Sequence, residues 1–276
     1  MSTLRASFSL AAEQDFELEG MDVDAAYLNT PVEEELFVKL PPQFSPSSRD
    51  IPFLRRLRKI LCGLKQNGRN WNNTLDDFLA GIGLDRSTTD SCLYFSRDDG
   101  GETDLLVAIY VDDIAIAGCR KKVDEFNHNI SQRFRMKDLG SLWRVLGIEV
   151  RCDRPNGTIT ISQVSYIREI LKISSFDECR AVPIPVEGRF RHPSRPTSPP
   201  NRSHLGLIRD AGWAEDVEDQ KSTTGYVFKL NGGAISWCPR KQQLVTWSSL
   251  EAEYVAEGEA GKEVVYLREL PGSIGF

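Results

Sequence analysis

The chain has 276 residues, 40% of them hydrophobic and 27% charged, which suits one large soluble domain or two ordinary ones. A net charge of −6 argues mildly against nucleic-acid binding by whole-chain charge. No apolar run approaches the roughly 20 residues of a membrane span, and MSTLRASFSLAAEQ lacks the basic start and apolar stretch of a secretory signal. The expected location is intracellular, in the cytoplasm or alternatively the nucleus.

In chain order, residues 5–15 predict a short helix. FELEGMDV alternates, with Phe16, Leu18 and Gly20 on one side and Glu17, Glu19 and Met21 on the other, and reads as a strand running into Asp22. A loop rich in prolines, acids and aromatics then leads to LRRLRKILCGLKQNGR. Its Arg55, Arg56, Arg58, Lys59, Lys65 and Arg69 form a basic stretch that can neutralise phosphates or simply face solvent. Residues 70–84 place Trp71, Leu75, Phe78, Leu79 and Ile82 at helical spacing, with Gly83 as a stop. DDGG marks a turn between two apolar strands. YVDD then sets Asp112 and Asp113 between LLVAIY and IAIA. A second basic group follows, Arg120, Lys121 and Lys122.

Residues 123–134 predict an amphipathic helix with Val123, Phe126, Ile130 and Phe134 on one face. LWRVLGIEV and GTITIS predict a hairpin around DRPNG, and SYIREILKISSF another helix. Residues 1–187 therefore read as α+β, with helices beside an antiparallel sheet. Residues 188–204 are rich in Pro, Ser and Arg and read as a linker. In 205–276, NGG joins two apolar runs into a hairpin, and EAEYVAEGEAGKEVVYLREL reads as a helix that tolerates Gly261. The six cysteines and three histidines are scattered without a zinc pattern, so reduced thiols are expected.

The aspartate pair carries the chemistry. A tight strand–strand turn holds two oxygen donors close to well-fixed backbone, and oxygen donors suit a hard cation such as Mg²⁺. Asp22 also ends a strand and is a candidate third carboxylate. Together they would serve a pair of ions about 3.5–4 Å apart, the spacing used in phosphoryl transfer. Successive residues of an extended chain face opposite ways, so Asp112 and Asp113 have unequal roles unless the turn rotates one of them. The alternative is a polar turn without metal.

Five ordered blocks bear on that choice. MDVDAAYLNTPVEEELFVKLPPQF, LCGLKQNGRNW, YVDDIAIAG, FRMKDLGSLWRVLGIEV and ISQVSYIREIL resemble, in this order, the reverse transcriptase of copia-type LTR retrotransposons over about residues 5–187. The resemblance implies a palm with an antiparallel sheet and helices on one face. It implies RNA-directed DNA polymerase activity with two Mg²⁺ or Mn²⁺ ions. Asp22 and Asp112 would be metal ligands, and Asp113 a less direct member of the same site. Tyr27 matches the aromatic that lies under the sugar and rejects a 2′-hydroxyl; from composition alone it is a core aromatic of a half-buried strand. Gly63, Leu64, Lys65 and Gln66 match the block that shapes the nucleotide and template pocket, with Arg69 beside it. Gly68 stands where the family has proline, and Asp24 is expected to have a surface role. The implied partners are an RNA template, a DNA primer and deoxynucleoside triphosphates, with other retroelement proteins as further associates and no membrane.

RDAGWAEDVEDQKSTTGYVFKLNGGAISW and the helix after it resemble a truncated ribonuclease H unit of the same elements. Asp210, at the start of its first strand, and Glu253 match two of the unit's catalytic acids. The resemblance also implies losses: most of the fingers, an internal stretch replaced by 188–204, and the late nuclease acids. A weakly active or inactive copy without ribonuclease H activity is therefore expected. The competing readings are a non-enzymatic nucleic-acid-binding remnant of a retroelement and a different two-metal phosphotransferase.

Overall fold

The computed structural model describes residues 1–32, 34–39, 54–59, 64, 66–176, 178, 205–212 and 219–274, and the 188–204 linker lies outside them. Helix α1 (Ser2–Glu13) leads into strand β1 (Glu17–Val23). A helical turn over Ala26–Asn29 follows, then a two-stranded ribbon of β2 (Phe37–Lys39) and β3 (Leu54–Arg56). Helix α2 (Asn67–Gly81) stops just before Gly83, whose φ of 88° is open to a residue without Cβ. Strands β4 (Asp85–Arg86), β5 (Leu93–Arg97), β6 (Thr103–Tyr110) and β7 (Asp113–Gly118) come next, then helix α3 (Arg120–Arg133) and β8 (Met136–Ser141).

These six strands form one antiparallel sheet in the order β4-β5-β6-β7-β1-β8. β1 comes early in the chain yet lies between β7 and β8. β8 has no counterpart among the predicted elements. MKDLGS buries none of its residues, so no alternation marks it; the strand forms by hydrogen-bonding the free edge of β1. Gly118 permits a close approach in the β6–β7 pair, since a Cβ there would stand 2.7 Å from the carbonyl oxygen of Asp104.

Alternation along the strands divides the core by face. Met21, Val23, Ile114 and Ile116 join Trp71, Leu75 and Leu79 of α2 and Val123, Phe126 and Ile130 of α3. Leu18, Ala115 and Ala117 face the other way and meet Leu4, Phe8 and Ala11 of α1. A small sheet of β9 (Arg144–Val145), β10 (Ile148–Asp153) and β11 (Thr158–Ser162) also packs on α1, and is followed by helix α4 (Val164–Ile173). Its hairpin turn is tied to the start of β1 by Arg154, which donates to the Asp15 carboxylate and carbonyl, both at 2.9 Å, and to Glu17.

The last stretch contains β12 (Gly206–Gly212), β13 (Thr223–Leu230), β14 (Gly233–Lys241) and helix α5 (Ser249–Ser273). The predicted NGG hairpin turns through Asn231 and Gly232, both at positive φ. Ser248 caps α5, its hydroxyl accepting from the Glu251 N–H at 3.2 Å. Phe228, Ile235, Leu267, Leu270 and Ile274 share the core of α1 and the large sheet. α1 is thus enclosed on two sides, which is why seven of its twelve residues are buried. The described residues form antiparallel sheets and five α-helices, consistent with the α+β expectation.

Candidate active site

Asp22 and Asp113 are directly opposed in the antiparallel β1–β7 ladder. Opposed residues project on the same face with Cβ atoms about 4.5–5.5 Å apart. That face is the one Leu18, Ala115 and Ala117 present to α1, so the two carboxylates close its end. Asp112 occupies the bend between β6 and β7 and is exposed, while Asp22 and Asp113 are half-buried. The two members of the pair are placed unequally: Asp113 begins strand β7 and Asp112 lies in the turn before it.

Backbone contacts hold the bend. Val111 takes a φ of 61°, a strained choice for a β-branched residue. Its carbonyl accepts from the indole Nε1–H of Trp71 at 2.7 Å, and the Asp112 carbonyl accepts from the Val23 N–H at 2.9 Å. Trp71 is buried and meets Phe134 edge to face, with ring centroids 5.3 Å apart. Sequence reasoning treats Trp71 as helix core; its indole also positions the aspartate turn. Its signal is the one residue with a polar atom on an otherwise apolar stripe, since a buried indole N–H needs an acceptor.

Electrostatics tie Asp113 to the other two acids. Burial first, then repulsion from Asp112 and Asp22, raises the Asp113 carboxyl above the ordinary aspartate range. A carboxyl with a raised folded-state pKa binds its proton more tightly folded than unfolded. Its ionisation therefore costs stability, and the loss develops as pH climbs from the ordinary aspartate range through the raised value. Asp113→Asn is expected to be more stable than the parent at pH 7, with the gap closing on acidification below the aspartate range. Urea midpoints at pH 7 and pH 3.5 check this; a gap that stays constant with pH would refute it.

Among the described residues, no group of three or more Asp, Glu, His or Cys side chains stands ready-made to hold a metal. A hard cation of the Mg²⁺ type needs only one or two carboxylates and completes its shell with water and substrate phosphates. The oxygen-only donors of Asp22, Asp112 and Asp113, gathered at the end of one sheet face and the adjoining bend, are of the kind that suits such an ion.

Tyr27 lies in the helical turn after β1, not in a strand, and packs partly buried against the α2–α3 core. The chain leaves β1 through Ala25 at φ 52°, which ends the extended run before Tyr27. Gln66 is the N-cap residue of α2, and Arg69 is exposed in its first turn, two residues before Trp71. Gly63 and Lys65 lie outside the described residues. Asp24 is exposed and pairs with Arg135 at 2.9 Å. Of the basic groups, Arg55, Arg58 and Lys59 face solvent on and beside β3. Arg120 instead engages Glu17, Glu19 and Asp124, and Lys122 pairs with Glu125, so these two members of the second group serve intramolecular ion pairs.

Asp210 is the fifth residue of β12, opposite Gly225, and not at the strand's start, because Gly206–Arg209 already pair with β13. Glu253 of α5 reaches the same strand and accepts from the Ala211 N–H at 3.3 Å. A cavity of about 620 Å³ opens between α1, β11 and the β13–β14 turn, but none of the candidate residues lines it. No helix among the described residues is long and apolar enough to cross a membrane.

Two acids thus ride a hairpin backed by buried strands and are faced by a third on the neighbouring strand of an antiparallel sheet. Residues 1–188 match the family model described as reverse transcriptase (RNA-dependent DNA polymerase), and the chain belongs to that family. It is 27% identical over 348 aligned positions to the retrovirus-related Pol polyprotein from transposon TNT 1-94 of Nicotiana tabacum, covering all of this chain and 26% of that protein. It is 26% identical over 341 positions to the corresponding polyprotein from transposon RE1 of Arabidopsis thaliana, with 100% of this chain and 23% of the relative covered. A putative transposon Ty5-1 protein of Saccharomyces cerevisiae is 32% identical over 60% of the chain and 53% of its own length. The chain thus spans about a quarter of the first two relatives, and the resemblance to copia-type Pol proteins holds over its full length.

Proposed function

We propose that the chain carries RNA-directed DNA polymerase chemistry, two-metal nucleotidyl transfer onto a DNA primer along an RNA template, in a truncated and weakly active copy. The observation that carries this reading is the pairing of Asp22 with Asp113 beside the bend of Asp112. Asp22 and Asp112 would hold two Mg²⁺ or Mn²⁺ ions, with Asp113 supporting them. Bound there, the ions supply Lewis-acid activation of the primer 3′-oxygen and neutralise the phosphate charge that develops on the leaving side. The protein's own part is positional. Trp71 and Val23 fix the bend by hydrogen bonds. Tyr27, Gln66 and Arg69, with Gly63 and Lys65, would border the nucleotide and template. Asp210 and Glu253 would be two acids of a ribonuclease H-like site.

The test is primer extension on poly(rA)·oligo(dT) with Mg²⁺ or Mn²⁺. The parent chain is expected to incorporate deoxynucleotide, and Asp112→Asn to lose about 10²–10³-fold, the usual cost of removing one preorganised electrostatic group. Equal blank results with retained RNA binding would favour the non-enzymatic remnant, for which the exposed Arg55, Arg58 and Lys59 supply a phosphate-binding surface.

A further inference from the structure

The cavity of about 620 Å³ between α1, β11 and the β13–β14 turn falls in the size range of small-molecule sites. Its walls include Phe8 and Ile235, both buried, and the half-buried Ile159 and Ile161. Arg5 and Glu13 of α1 also line it, eight residues and so about 12 Å apart along the helix. At the Arg5 end, the guanidinium carbon lies 3.8 Å from the centroid of the Trp237 ring, a stack that orients its plane. The Arg5 Nε is buried without a hydrogen-bond partner. Burial alone lowers the Arg5 pKa from the ordinary arginine value, and among the described residues no carboxylate forms an ion pair with it.

At the other end, Asn231 of the β13–β14 turn donates through Nδ2 to the Ser9 carbonyl at 3.2 Å and to the Glu13 carboxylate at 3.0 Å. Both partners are acceptors, which settles how the amide is turned. Its Oδ1 is therefore an acceptor, and it too is buried without a partner. One cavity thus carries an unmet cationic donor and an unmet acceptor, with an apolar wall between. Such a pair selects a ligand that brings an anion to the first and a hydrogen-bond donor to the second.

We propose that this cavity binds an amphipathic organic acid, with its carboxylate on Arg5, its apolar body along Phe8, Ile159 and Ile235, and a hydroxyl donating to Asn231 at the far end. Asp22, Asp112 and Asp113 do not line it, so its occupancy is independent of polymerase chemistry. Its walls come from both early and late parts of the chain, and a ligand that needs the folded form stabilises it by mass action. The test titrates the whole chain, by isothermal titration calorimetry, with ω-hydroxydecanoate below its micelle concentration. Decanol, which lacks the anion, is the comparison. The hydroxyacid is expected to bind at one site and to raise the thermal midpoint, and decanol to bind roughly tenfold or more weakly. Arg5→Met keeps an apolar stem beside Trp237 and removes the charge. It is expected to weaken the hydroxyacid roughly tenfold or more and to leave decanol unchanged. Ala234→Trp, at an exposed lining position, is expected to block both. Without ligand, both variants should melt as the parent does. No binding of the hydroxyacid by the parent, or equal affinity for decanol, overturns the proposal without recourse to a variant. Hydroxyacid binding that survives both substitutions overturns it as well, because the ligand then sits elsewhere.

Discussion

A Trp71→Ala chain is expected to lose about 3–5 kcal/mol of stability, the range for removing a large buried aromatic. The ring is 2% exposed and lies against Phe134, so a cavity opens between α2 and the end of α3. A second loss is local. The Val111 carbonyl forfeits its indole donor, and the bend that carries Asp112 loses one of its two ties. Trp71→Phe separates the effects: it keeps most of the packing and removes the N–H. Val111 is itself exposed, so water can replace the donor, and the phenylalanine variant should cost only about 1 kcal/mol. Under the proposed two-ion site, its larger effect is expected on stabilisation by added Mn²⁺, because the carboxylates then sit on a looser turn. Urea unfolding with and without Mn²⁺ measures both. A phenylalanine variant that matches the parent in both would show that the indole only fills space.

The second large effect concerns the joint between the early and late parts of the chain. Phe228 is fully buried, packs against Tyr226 and belongs to the cluster that contains Leu4, Phe8 and Leu106. Polar contacts cross the same joint. Ser87 and Ser273 share a hydrogen bond of 2.8 Å, Asn231 donates to Glu13 at 3.0 Å, and Thr103 donates to the carbonyl of Ile274. Phe228→Ala is expected to cost about 3–5 kcal/mol and to lower the unfolding midpoint of the whole chain in one transition, because α1 loses packing together with β13. Far-ultraviolet circular dichroism and tryptophan fluorescence should shift together in urea. Fluorescence that keeps the parent's midpoint while the dichroism splits into two steps would show that the halves unfold independently.

These two residues also mark where sequence reading stops. The alternation of FELEGMDV and the apolar runs around YVDD predict β1, β6 and β7, and a period-2 register suffices to bring Asp22 opposite Asp113 once the strands are paired. That pairing is itself non-local, and motif order supports it better than periodicity does. β8 leaves no trace because it is an exposed edge whose hydrogen bonds are made by backbone alone. Trp71 reads as one more apolar position; its role depends on which carbonyl its N–H meets, and pattern does not carry that. Asp210 is displaced along its strand from the predicted start because backbone pairing extends upstream of the motif. Tyr27 leaves the strand because Ala25 adopts a left-handed backbone, a turn that no glycine or asparagine announces.

The positive φ of Val111 has an evolutionary corollary. Glycine would relax that torsion at no steric cost, yet would also let the loop sample many shapes. A branched residue held there by neighbours makes a stiff bend at the expense of global stability. Under the proposed polymerase reading, a copy released from selection for synthesis is expected to relax it. The valine is therefore a local gauge of decay, one that sequencing sister copies could read without any assay.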